Sequence, residues 1–401
     1  MKFTVRKLKY ALVLFFLFFA ALNFRGKFFY FSFGAMLVLL VFQKRLRINR
    51  GAAVYALLGL LMAIYNHAEG MLSMIRCFAG VALFLVGYNV ASEDMSRTGE
   101  TRSIATSQRH IYGMMLAIAT GSFTHFFLNF VTNWGAALGR NTNDIWTGET
   151  MAATGQAALS CLMLGFAVSA IFLPPRKVIF WLGAFCISII LLYNLILACR
   201  AVLAILVALL IVGYCYKQRT LDSMGKGFGF RVRVVIVLGI AAIAVILNVG
   251  NIQGLWTSSN LGARFNNSLD GLFDNTARND SKLLYIKNAP KYLFGGLHMQ
   301  KEFGYAHDLL LDGYDEYGIG GLILFVAVLA HGVKAIWKFL RETAYHHSLK
   351  LTVLCIYTAV LLEFCVEPIL TGMPWLFPCY CLINGCIAGL NLTWSKGAGT
   401  A

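Results

Sequence analysis

Long apolar segments recur along the whole chain, and they constrain its fold more than any other feature of the sequence. A hydrocarbon core of roughly 30 Å needs about 20 mostly apolar helical residues to cross it. Twelve segments approach or reach that length, at 10–24, 28–43, 51–66, 71–91, 110–131, 152–173, 177–197, 199–216, 232–250, 316–333, 350–370 and 374–393. Only 13% of the residues are charged, against about one quarter in globular proteins. We therefore expect an all-α, polytopic membrane protein with about twelve transmembrane helices.

Lysine and arginine are unevenly distributed among the segments that connect these spans. With a cytoplasmic N-terminus, the inner segments hold 23 of the 34 basic residues, as expected because cytoplasmic loops retain positive charge. This pattern predicts that both termini are cytoplasmic. It also explains the net charge of +16, because the long outer loop at 251–316 is net −2 and the remainder carries +18. The positive excess is thus a topology signal, and we expect no nucleic-acid partner.

One connection is far longer than the others, and it lies on the predicted outer side between the ninth and tenth spans. Loops of that length in compact proteins tend to be functional. We therefore divide the chain into an N-terminal transmembrane bundle (1–250), an extracytoplasmic catalytic loop (251–316) and C-terminal transmembrane helices (317–401). Within the loop, the stretch SKLLYIKNA follows residues with N-cap chemistry and precedes Pro290, which predicts a short amphipathic helix lying along the outer leaflet.

Three residues near the outer face are candidates for chemistry, each with a simpler explanation beside it. Arg200 is either an arginine that snorkels to lipid headgroups or a buried cation for an anionic substrate. Arg278 is either a solvated loop charge or a second such cation. His307 is either a surface histidine or a base that works near neutral pH. Two guanidiniums and a neutral imidazole together suit group transfer from a lipid pyrophosphate, since the guanidiniums stabilise the leaving charge and the imidazole accepts the proton of a hydroxyl.

A cluster of acids beside His307 offers a competing interpretation. Asp308, Asp312, Asp315 and Glu316 recur at helical spacing on one face, where they either bind a cation or stay solvated and apart. No D-x-D motif accompanies them. The ten cysteines all lie within or at the ends of predicted spans, so they indicate neither a zinc site nor a disulfide framework. We expect no metal and no cofactor.

Three motifs together resemble the O-antigen ligase and polymerase family. They are ACRAVL at the outer end of a middle span, ARNDSKLLYIKNAPKYLFGG in the long loop, and AHDLLLDGYDEYGIGGLILF running into a span. The resemblance covers about 199–330, and before that the chain matches only in hydropathy. It implies a GT-C-like membrane fold and a metal-independent, inverting glycosyltransferase that uses no nucleotide.

Carried over to this sequence, the resemblance implies a role for each motif residue. Arg200 and Arg278 engage the pyrophosphate of a polyprenyl (undecaprenyl) carrier, and His307 activates the acceptor hydroxyl. Arg264 is a rival for the loop arginine, but only Arg278 has the helix, proline and glycine turn behind it. Asp308 stands where asparagine is commoner in the family, so this chain has a carboxylate there in place of an amide.

The remaining expectations concern one further residue near the candidate site, the acceptor of the glycan, and the partner proteins. Glu367, just before Pro368, is a candidate for contacting substrate or orienting an arginine. The enzyme is expected in a bacterial cytoplasmic membrane with its active site outside. It is either a surface-polysaccharide polymerase or, as the alternative, a ligase that transfers the glycan to a lipid A core. Other polysaccharide export or chain-length proteins are possible partners in the bilayer. A multi-span transporter or flippase is a more distant alternative, which predicts repeats that the sequence lacks.

Overall fold

The computed structural model describes residues 2–43, 45–95, 100–134, 141–173, 177–197, 199–220 and 276–397. These residues are mostly helical, in agreement with the apolar pattern of the sequence. The helices are α1 (Lys2–Ala21), α2 (Phe28–Phe42), α3 (Ala52–Tyr65), α4 (Met71–Arg76), α5 (Ala79–Met95), α6 (Glu100–Thr132), α7 (Ala153–Phe172), α8 (Lys177–Ile196), α9 (Arg200–Thr220), α10 (Thr276–Asn288), α11 (His298–Phe303), α12 (Leu309–Arg341), α13 (His347–Val366), α14 (Ile369–Gly372) and α15 (Leu376–Gly397).

Six stretches of helix among the described residues are long and apolar enough to cross a membrane. They are Met71–Glu93, Ile104–Thr132, Ala153–Phe172, Ala201–Thr220, Leu309–Arg341 and His347–Val366. Shorter apolar helices occur at Phe28–Phe42, Ala52–Tyr65, Val178–Asn194 and Leu376–Asn391. The predicted ninth span, 232–250, lies outside the described residues. A membrane-embedded, mostly helical chain is therefore confirmed, whereas the count of twelve spans stays a prediction.

The chain divides into two compact units. The first contains Met1–Gly121, Arg278–Lys350 and Phe364–Ala401, and the second contains Ser122–Ala277 and Leu351–Glu363. The three-part division expected from the sequence concerns membrane topology, and it stays a prediction.

In the first unit, α5 packs along α15, and small residues permit the close approach. A Cβ added at Gly385 would lie 2.0 Å from the backbone oxygen of Phe84, and one at Gly389 would lie 2.6 Å from that of Tyr88. The two glycines form a G-x-x-x-G pattern, which lets helix backbones meet where lipid provides no hydrophobic driving force. The contact explains why this pair of apolar helices stays together.

The helix α12 of the first unit is broken in its N-terminal third, where the sequence has its Gly-Ile-Gly-Gly run. Gly318 has φ 68°, and a Cβ there would lie 2.4 Å from the oxygen of Leu293. The backbone groups released by the break bond to the turn at 293–297: the N–H of Ile319 donates to Leu293 O (2.9 Å), and Leu297 N–H donates to Asp315 O (2.9 Å). The glycine turn therefore anchors the preceding loop segment to the start of α12.

The second unit is built around α7, whose membrane-length stretch is wholly buried against neighbours that include α8 and α9. Between α6 and α7, two short strands, β1 (Asn141–Asn143) and β2 (Thr150–Ala152), pair in antiparallel register with Thr142 opposite Met151. Among the described residues, this hairpin is the departure from the expected all-α fold. The chain reverses between the strands because the N–H of Gly148, at φ 71°, donates to Asp144 O and the N–H of Asp144 donates to Glu149 O, both at 2.8 Å.

Candidate functional site

The segment before α12 folds around a small apolar cluster of its own. Tyr285, Met299, Ala306 and Tyr314 are all buried in it. The hydroxyl of Tyr285 donates to Gly304 O at 2.7 Å. Burial, and then the negative charges of nearby aspartates, raise the pKa of Tyr285 above its ordinary value, so the phenol remains a donor. This packing fixes Ala306, and with it the position of the next residue.

The helix α10 begins earlier than the sequence suggested. It starts at Thr276, before the expected cap residues at 279–281, and ends at Asn288. A turn containing Pro290 follows, as predicted. On α10, Tyr285 is buried, whereas Leu283 and Ile286 are exposed. The exposed apolar side chains agree with an amphipathic helix, but its placement along a leaflet stays a prediction.

His307 lies between that cluster and α12, in a backbone conformation rare for a residue with a side chain. Its φ is 54°, in the left-handed region, which costs about 1–2 kcal/mol and persists only where surrounding structure enforces it. Its Nδ1 lies 3.7 Å from Oε2 of Glu367, and the two side chains are 25% and 1% exposed, respectively. Because Nδ1 is buried, the accessible part of the ring lies on its other edge. At 3.7 Å the two atoms are too far apart for a hydrogen bond, so the buried carboxylate can act on the imidazole only through its charge.

Asp308 has a structural role that explains an acid at this position. Its Oδ1 accepts from the backbone N–H of Leu310 (3.0 Å) and Leu311 (3.3 Å), so it caps the N-terminus of α12. Its Oδ2 lies 3.5 Å from Lys282 Nζ, which also donates to Cys365 O at 2.9 Å. Lys282 thus ties α10 to the start of α12 and the end of α13. These contacts hold His307 and Glu367 at the same end of the first unit.

The acids that share a helical face with Asp308 have different hydrogen-bond environments. The carboxylate of Asp315 accepts from two backbone N–H groups at the start of α11, each at 2.9 Å. Glu316 accepts from the hydroxyl of Tyr317, and Oδ2 of Asp312 is buried without a hydrogen-bond partner among the described residues. In the part of the chain that the structure describes, no three His, Cys, Asp or Glu side chains converge on a possible metal position.

The structure describes two of the three candidate arginines, and those two lie in different units. Arg200 is the first residue of α9, in the second unit. Arg278 is in the first turn of α10, in the first unit. The structure describes the backbone of both but the side chain of neither, and Arg264 lies outside the described residues. A meeting of Arg200 and Arg278 with His307 around one substrate stays a prediction.

A second buried polar pair lies in the second unit, where it secures the β1–β2 hairpin. Nε2 of His125 and Oδ2 of Asp144 are 2.6 Å apart, and both side chains are buried. Burial acts to raise the pKa of Asp144, but the hydrogen bond and charge of His125, with the N–H groups of Thr147 and Trp146, outweigh it and lower the pKa to about 2. The carboxylate therefore anchors the turn between the strands.

Sequence reasoning named His307, Asp308 and Glu367 separately, and the structure brings them together. It missed Lys282, although that residue follows Arg278 by four positions and so lies one turn further on the same helix. No protein-family model matches the sequence, and no curated protein is similar enough to it to count as a relative.

Proposed function

We propose that this protein is a membrane glycosyltransferase that moves a glycan from a polyprenyl pyrophosphate to a sugar hydroxyl, acting as a surface-polysaccharide polymerase. The observation that supports this most is the His307–Glu367 pair, a partly exposed imidazole beside a buried carboxylate at the end of two apolar helices. Ionisable groups at such positions in membrane proteins are usually functional. An imidazole beside a carboxylate suits removal of a proton from an alcohol, because the negative charge favours the imidazolium that forms.

In the proposed reaction, the accessible nitrogen of His307 accepts the proton of the acceptor hydroxyl. The oxygen attacks the anomeric carbon of the donor from the face opposite the phosphate, and configuration inverts. The bond between that carbon and the phosphate oxygen breaks, and polyprenyl pyrophosphate leaves with the electron pair. Glu367 stabilises the imidazolium that forms, which lowers the barrier only when charge develops.

The pyrophosphate needs positive charge, and the proposal assigns that task to Arg200 and Arg278. Each lies in the first turn of a helix, where backbone N–H groups and the helix dipole favour anions. Guanidinium groups bind phosphate oxygens in pairs, with defined geometry. In this scheme the arginines neutralise the charge of the pyrophosphate, as a divalent cation does in other transferases, so activity should persist in EDTA.

The direct test offers purified protein a short polyprenyl-linked glycan, with and without a lipid A core acceptor. Longer lipid-linked ladders support a polymerase, and transfer only to the core supports a ligase instead. No new glycosidic bond under either condition contradicts both and favours a transporter. His307→Ala should abolish product while the protein still inserts in the membrane, and wild-type turnover by this variant would refute its role as the base.

A further inference from the structure

The first unit contains a cavity of about 210 Å³ that is lined by neither His307 nor Glu367, and of the acids discussed above Glu316 lines it. It lies between the end of α3, α4, the start of α5, the turn of α12 just before its break, and the segment that leads into α15. Its walls combine charged and polar groups with aromatic rings. The members that matter are Asn66, Glu69, Arg76, Glu316, Phe29 and Phe377.

The charged groups of the cavity do not neutralise one another. Within the described residues, Arg76 forms no salt bridge, and its guanidinium carbon lies 5.9 Å from the ring centre of Phe29 and 6.0 Å from that of Tyr30. Glu316 accepts from a tyrosine hydroxyl, which leaves acceptor capacity on its second oxygen. Glu69 is exposed at the end of a short turn. One donor group and two acceptor groups therefore remain available to a ligand.

The mixture of charges selects the chemistry of that ligand. Two carboxylates against one guanidinium repel a free anion, and a free cation would leave the guanidinium without a hydrogen-bond partner. A neutral sugar can use all three groups, because each hydroxyl can donate to a carboxylate and accept from a guanidinium. The rings of Phe29 and Phe377 supply apolar surface for the C–H face of a pyranose. The volume lies below the roughly 300 Å³ at which typical ligand pockets begin, so the cavity holds about one ring.

We propose that this cavity is a subsite for one neutral sugar ring of the acceptor glycan. The inference rests on the proposed function, because it assumes an acceptor that reacts near His307. Asp308 and Glu316 are eight residues apart on α12, which corresponds to about 12 Å along the helix. Because that span is longer than one sugar ring, the bound ring lies further along the acceptor chain than the reacting sugar, and the cavity selects and aligns the chain.

The test measures binding separately from transfer. Full-length protein in lipid nanodiscs is titrated with the methyl glycosides of a neutral hexose and of a hexuronic acid, with ligand-observed NMR as the readout. The neutral glycoside should bind, and the hexuronate should bind more weakly. Arg76→Gln should weaken binding about tenfold or more, as expected for loss of a charged hydrogen bond. Arg341→Gln is the matched control, since Arg341 also lies over an aromatic ring, that of Trp337, at 4.3 Å.

Two further variants distinguish failure of the proposed subsite from failure of the proposed transfer activity. Glu69→Ala should also weaken binding, and its exposed side chain makes misfolding an inadequate explanation. His307→Ala should bind the glycoside normally yet give no product, so loss of transfer with retained binding leaves the subsite standing. Equal binding by wild type, Arg76→Gln and Glu69→Ala would overturn the inference. So would binding of phosphoethanolamine with no binding of the neutral glycoside, because a zwitterion would then be the better match to the charges.

Discussion

The Glu367→Gln substitution tests the proposed mechanism through a magnitude that the structure supplies. The Oε2 of Glu367 lies 3.7 Å from Nδ1 of His307. Two unit charges at that separation attract by about 4 kcal/mol at an effective dielectric constant of about 20. The imidazole becomes positive only as it accepts the proton, so the attraction applies to the transition state and is absent from the ground state. Glutamine keeps the shape and removes the charge, and it should lower kcat by about 10³-fold.

The assay is a single-turnover transfer reaction with a fluorescent polyprenyl-linked donor. The expected pattern is a large loss in kcat with little change in the KM for the donor, because Glu367 is proposed to act through His307 and not on the substrate. Glu302→Gln is the control, since it removes an exposed carboxylate from the same loop. Thermal melting in detergent reports whether Glu367→Gln is folded.

Two results would contradict this reasoning. A folded Glu367→Gln protein that turns over at the wild-type rate would show that the carboxylate does not assist His307. A variant with normal kcat and a strongly raised donor KM would place Glu367 against the substrate or one of its arginines, which is the other role expected from the sequence.

Three further predictions concern binding and stability. Arg278→Ala should weaken donor binding more than Arg264→Ala, measured as the donor KM, and the reverse order would show that the wrong loop arginine was chosen. Asp308→Ala should cost about 1 kcal/mol through loss of the helix cap, seen as about fivefold faster hydrogen exchange in the first turn of α12. Asp144→Asn should cost about 2 kcal/mol, because the pKa of this carboxyl falls from 3.8 to about 2 on folding. The hairpin amides should then exchange about 30-fold faster at neutral pH. Because a lowered pKa stabilises the folded form above 3.8 and loses that effect as pH falls towards 2, the difference from wild type should vanish in acid, and Glu149→Gln should behave as wild type.

Hydropathy was sufficient to predict most of the helices, because apolar length is a property of each segment taken alone. The break in α12 falls in the Gly-Ile-Gly-Gly run, since only glycine adopts the φ of 68° found at Gly318 without strain. The same reasoning did not give the short β hairpin. Its strands have only three residues each, and its formation depends on the buried contact between Asp144 and a histidine 19 positions earlier.

The candidate site was predictable residue by residue but not as an arrangement. His307 and Glu367 both stood out in the sequence as polar groups at the ends of apolar segments. Their approach depends on where α12 begins and α13 ends, and on the lysine that ties both helices to α10. For the acids at 308–316, helical spacing predicted a common face but not the hydrogen-bond partners of each carboxylate. In the folded chain, Asp308 and Asp315 instead satisfy the N–H groups of two different helix starts.

The two proposed sites lie at opposite ends of one short helical segment, the part of α12 that precedes the break at Gly318. Upstream of it, the first turns of α12 run from the Asp308 cap beside His307 to Glu316 in the cavity. Downstream, the helix continues as a membrane-length span. The turn at 293–297 hydrogen-bonds to the opened backbone, so the upstream piece is held from both ends and keeps its length. An acceptor that fills the cavity must therefore reach the base across a fixed distance, which gives the fold a way to select acceptors by the number of sugar units between the bound ring and the reacting hydroxyl.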